Sequence, residues 1–117
     1  MYYEANDDEV FEWYEKYYKV STEDVLFGDT YKLPHISNIV AESIIDRMCK
    51  DESFIELYDT GDIEDLDEFI KKYPGRSKTL CEKYIPKNAN ELYGLIDKKY
   101  WDLLTEEFYK DYNNRGE

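Results

Sequence analysis

An all-α fold, a compact bundle of five to six helices around a central helix over 36–49, is what this sequence predicts. Three observations carry that reading. The stretch PHISNIVAESIIDRMCK (34–50) places Val40, Ala41, Ile44, Ile45, Met48 and Cys49 on one broad face at helical spacing, with Glu42, Asp46 and Lys50 opposite. Capping pairs, in which a short polar residue precedes an acid by three positions, recur at Asn6/Glu9, Ser21/Asp24 and Asn88/Glu91. Strand signals are few: TYKL (30–33) and KYI (83–85) leave room for one small hairpin, and no alternating run with hairpin turn chemistry occurs.

The elements follow in order. Capped by Asn6, a helix over 7–19 gathers Val10, Phe11, Trp13, Tyr14, Tyr17 and Tyr18 on an aromatic face and turns Asp8, Glu12, Glu15 and Lys19 outward. Ser21 and Asp24 cap a short turn through Val25, Leu26 and Phe27 that Gly28 ends. Pro34 suits the first turn of the central helix, because its missing N–H has no partner to lose there. A short helix through Phe54, Ile55, Leu57 and Tyr58 stops near Thr60-Gly61. The next is expected over 62–72, with Ile63, Leu66, Phe69, Ile70 and Tyr73 inward, and Pro74-Gly75 terminates it. Ser77 is read as the cap of a helix bearing Leu80, Cys81, Tyr84 and Ile85, closed by Pro86. From Ala89 to about Tyr112 the pattern predicts one long helix, with Leu92, Leu95, Ile96, Tyr100, Leu103 and Leu104 as its stripe and Trp101 and Phe108 toward an edge.

At 117 residues the chain reads as a single domain, and 42% hydrophobic residues suffice for one core. Acids outnumber bases by 28 to 15, a net charge of −13 that disfavours nucleic acid and anionic membrane as direct ligands and favours a basic partner protein. Cys49 and Cys81 fall on apolar faces and read as buried thiols of a reducing compartment. The opening MYYEANDDEV is charged within four residues, and no stretch approaches the ~18 apolar residues of a membrane span. A cytoplasmic monomer or homodimer is the expectation.

Catalytic chemistry has little to work with. His35 is the only histidine, and G-x-S-x-G, H-E-x-x-H, C-x-x-C and a glycine-rich phosphate loop are all missing. With Gly61 at the sixth position of a calcium loop, Tyr58 would stand at the third and Asp67 at the twelfth, where a carboxylate and a glutamate are needed. The sequence thus predicts neither an enzyme nor a metal or other cofactor.

Acids concentrate in two blocks instead. Residues 1–30 hold nine (Glu4, Asp7, Asp8, Glu9, Glu12, Glu15, Glu23, Asp24, Asp29) against Lys16 and Lys19. Residues 51–70 hold nine more (Asp51, Glu52, Glu56, Asp59, Asp62, Glu64, Asp65, Asp67, Glu68) and no base, while 71–90 reverses sign with six bases against Glu82. A charge run ordinarily marks a solvated face, yet −13 exceeds the magnitude of about 2–8 that solubility asks of a small domain, which puts a binding role beside that reading. Tyrosine, present 13 times, gives large contact area at low entropy cost. Candidate contact residues are Asp59, Asp62, Glu64, Asp65, Asp67 and Glu68, then Asp8, Glu12 and Glu15 on the first helix.

In length, charge, helicity and tyrosine content the chain resembles the phage-encoded DNA-mimic inhibitors, namely Ocr-type anti-restriction proteins and acidic anti-CRISPR proteins. The resemblance is one of composition, shares no motif, and carries over no residue. It implies a non-enzymatic inhibitor that fills the basic nucleic-acid-binding groove of a host defence protein. The alternative from the same residues is an immunity-type protein neutralising a basic toxin, or another acidic adaptor. Two rows of carboxylates would favour the mimic; one compact patch around tyrosines would favour the immunity protein.

Overall fold

The hub of the molecule is the helix the sequence marks as central. The structure, a computed structural model, describes residues 6–115 and contains helices α1 (Asp7–Tyr18), α2 (Thr22–Leu26), a 3-10 turn (Thr30–Lys32), α3 (His35–Lys50), α4 (Glu52–Asp59), α5 (Leu66–Lys72), α6 (Pro74–Tyr84), α7 (Ala89–Leu95) and α8 (Lys98–Arg115). No strand occurs among the described residues, so the fold is an all-α bundle. TYKL forms the 3-10 turn, and KYI ends α6.

Helix α3 packs against α2, the 3-10 turn, α4, α6 and α7, while α1 packs against α7 and α8, and α5 against α6. Its Val40, Ala41, Ile44 and Met48 are fully buried, with Ile45 and Cys49 half-buried beside them. Ser37, also buried on α3, donates its hydroxyl to the Tyr18 carbonyl at 2.7 Å, giving the last turn of α1 a partner and pinning it to the hub. Asn38 holds the 3-10 turn through the Thr30 carbonyl at 2.7 Å. The result is a rod, 59 × 23 × 20 Å.

Local chemistry explains the departures from the expected elements. The helix expected over 62–72 begins only at Leu66. Gly61, at φ +81°, closes α4 in a Schellman turn, with Gly61 N–H on the Tyr58 carbonyl and Asp62 N–H on that of Leu57. Asp65 then caps α5, so residues 62–65 are a connection. Ser77 is no cap: α6 starts at Pro74, and Ser77 lies inside it, buried, donating to the Pro74 carbonyl at 3.0 Å. The long helix expected from Ala89 breaks at Ile96, whose backbone is extended, after Gly94 and before Asp97, whose carbonyl accepts the first bonds of α8. This shift of phase moves Trp101 and Phe108 from the expected edge into the core. With that break and with α2 and α4 counted, eight α-helices stand among the described residues where five to six are expected.

Candidate functional site

The acids sort by what holds them. On α1, Asp8, Glu12 and Glu15 are exposed, and none enters an ion pair among the described residues. The helix presents them because its other face is committed: Val10, Phe11, Trp13 and Tyr14 are buried, and the Trp13 indole donates to Asp111 on α8 at 2.7 Å. Tyr17, expected inward, is exposed, while Tyr18 is half-buried. Asp8 belongs to an acidic first turn that complements the helix dipole, whereas Glu12 and Glu15 have no such local role. Glu4 lies outside the described residues. Glu15 also lines a shallow depression with Glu23 and Glu82, where Lys19 and Lys87 are the bases.

The second block is tied into the fold. Asp51 caps α4 by accepting from Ser53 N–H at 2.9 Å, and its other oxygen receives the Tyr84 hydroxyl and, at 3.0 Å, the Lys83 ammonium. The Tyr84 bond above all, then the Ser53 N–H and Lys83, hold its carboxyl well below the usual carboxylate range. Asp62 accepts from the Tyr73 hydroxyl and pairs with Lys72 at 3.3 Å, which lowers its pKa for the same reasons in that order. Asp65 accepts from Glu68 N–H, and Glu68 accepts from Glu64 N–H, each at 2.9 Å. Of the six candidates in 59–68, then, Asp62, Asp65 and Glu68 bond within the chain. Asp59, Glu64 and Asp67 have exposed carboxylates with no such bond among the described residues.

Sequence reading missed one row. Glu52, Glu56 and Asp59 recur at i, i+4 and i+7 on the exposed side of α4, about 6 and then about 4.5 Å apart along the axis. Helical period was the signal that could have found it. The basic block supplies counterions: Lys72 and Lys83 form the pairs above, and Arg76 lies over the Tyr73 ring at 5.1 Å.

Much of the tyrosine is structural. Tyr14 is buried, its phenol pushed well up by that burial. Tyr58 stacks on Phe54, Tyr93 meets Trp101 edge-on, and Tyr112 stacks on Phe108. Cys49 and Cys81 are free thiols; burial pushes Cys81 up to about 11 and raises Cys49 too. His35 is exposed at the start of α3. The calcium-loop register over 56–67 runs from the end of α4 through the Schellman turn and its connection into α5, and no group of three or more His, Cys, Asp or Glu among the described residues could hold a metal ion. No described helix is long and apolar enough to cross a membrane. No protein-family model, curated protein or solved structure matches the chain.

Proposed function

We propose that the protein is a non-enzymatic inhibitor that occupies a basic nucleic-acid-binding groove on a host defence protein, with the acidic side of α1 as its leading contact. The observation that carries this reading is the set of exposed carboxylates on two separate helices, Asp8, Glu12 and Glu15 on α1 and Glu52, Glu56 and Asp59 on α4, with no ion pair among the described residues. Acids one turn apart stand about 6 Å from each other along the axis, a spacing comparable to that of phosphates along a strand. Their arrangement in rows, with Tyr14 buried and Tyr58, Tyr93 and Tyr112 resting on neighbouring rings, supports the mimic over an immunity protein built on one tyrosine-centred patch. The rod shape supports it as well, since a body 59 Å long spans about 17 base pairs at 3.4 Å each.

Displacement tests it. A fluorescent duplex is bound to a restriction enzyme or a CRISPR effector, the chain is titrated in, and anisotropy is followed. Release of the duplex, weaker at high salt and weaker still for Asp8→Asn/Glu12→Gln/Glu15→Gln, is expected. A duplex that stays bound across a panel of such enzymes overturns the reading.

A further inference from the structure

Phe27 and Tyr31 are the two most exposed large hydrophobic residues described, at 71% and 73%. Other exposed aromatics have neighbours that account for them: Tyr58, Tyr93 and Tyr112 rest on Phe54, Trp101 and Phe108, and Lys16 sits over Tyr17. Phe27 and Tyr31 both lie on the connection between α2 and α3.

That connection is built rather than slack. Phe27 and Gly28 N–H groups both bond the Glu23 carbonyl, Lys32 N–H bonds that of Asp29, and Asn38 on α3 holds Thr30. Gly28 passes so close to the Asp24 carbonyl that a Cβ there would stand 2.8 Å from it, so the tight approach requires glycine. Asp24 is fixed in turn by its reciprocal capping bonds with Ser21. Two large rings are thus held out in water on ordered backbone, at little further entropy cost to a partner that covers them.

We infer that Phe27 and Tyr31 are the apolar anchors of the partner contact, taken up by an apolar pocket in an otherwise basic protein surface. The charge around them selects that occupant. Glu23 is exposed on α2 just before them, Asp29 and Lys32 on the connection pair with each other at 3.2 Å, and the −13 of the whole chain favours a basic partner over a second copy. The inference rests on the basic-partner reading above and adds what charge alone cannot give, a slow off-rate and a fixed register.

Two peptides of equal charge separate the two ideas. Octalysine probes charge, and a peptide of eight lysines alternating with tryptophans adds apolar contact. The wild-type chain should bind the Lys/Trp peptide about tenfold more tightly than octalysine, the scale of one good anchor, with amide shifts centred on 27–31. Phe27→Ser/Tyr31→Ser should erase that preference and leave octalysine binding and the melting temperature unchanged. A retained preference, or shifts centred elsewhere, overturns the anchor. Failure of octalysine itself to bind at low salt overturns the electrostatic reading instead. Sedimentation showing a wild-type dimer and a monomeric double variant would assign the loop to self-association and also overturn the proposal.

Discussion

Two regions carry the same number of acids and use them differently. In 1–30, nine acids face Lys16 and Lys19, and along α1 the carboxylates at Asp8, Glu12 and Glu15 point into water with no ion pair among the described residues. In 51–70 nine acids are followed by the six bases of 71–90, and folding brings the two signs together: Asp51 to Lys83 and Tyr84, Asp62 to Lys72 and Tyr73. The lesson is that a charge block in sequence has no fixed meaning. Its counterions can lie 10 or 32 residues away, as for Asp62/Lys72 and Asp51/Lys83. Acids near bases in the fold hold helices together, and acids without them make a field.

The largest effect should come from the hub both regions share. Ile44 is fully buried on α3, so Ile44→Ala should cost about 2–5 kcal/mol in denaturant melts. Probes near Trp13 and near Tyr84 should then lose structure in one transition. Separate transitions would show that the regions fold independently.

Next comes Asp51→Asn, which keeps a good cap for α4 but weakens the bonds from Lys83 and Tyr84. A loss of about 1–2 kcal/mol at neutral pH is expected. Because the folded carboxyl titrates below its unfolded value of about 3.9, this stability is present above that pH and is lost as pH falls toward the folded value. Wild type and variant should therefore converge in acid. A constant gap from neutral pH to about pH 2 would remove the ionised carboxylate from the explanation.

A finer contrast lies within one turn of α5. Glu68→Lys removes the acceptor for Glu64 N–H and should cost about 0.5–1.5 kcal/mol. Asp67→Lys, one residue away and exposed, should cost less, on the order of half a kcal/mol, mostly from the helix dipole. Equal melting temperatures for the two would mean that Glu68 is surface charge after all.

How much of this could be read from sequence depended on the range of the interaction. The α3 face, the Ser21/Asp24 box and the stop at Thr60-Gly61 rest on neighbours within four or five residues, and each is present as expected. The break at Ile96 was not legible, because the apolar pattern runs across it and only packing of Trp101 and Phe108 fixes the new phase. Likewise α5 starts later than the sequence predicts, because Asp62 looks like a first-turn acid, while its partners, Lys72 and Tyr73, lie at the far end of the helix. Among the candidate site residues, exposure of Asp8, Glu12 and Glu15 followed from period alone. The internal use of Asp62, Asp65 and Glu68 was a matter of tertiary structure for the first and of capping geometry for the other two.

The most direct measurement sets two triple neutralisations of equal charge side by side against octalysine over a range of salt. Asp8→Asn/Glu12→Gln/Glu15→Gln should weaken binding about three- to tenfold and flatten its salt dependence, since exposed charges are each worth a few tenths to about 1 kcal/mol. Asp59→Asn/Glu64→Gln/Asp67→Asn, in the block whose Asp51 and Asp62 hold Lys83 and Lys72, should weaken it less, with both melting temperatures close to that of the wild type. An equal or greater loss from the second variant would contradict the claim that α1 carries the field a partner meets.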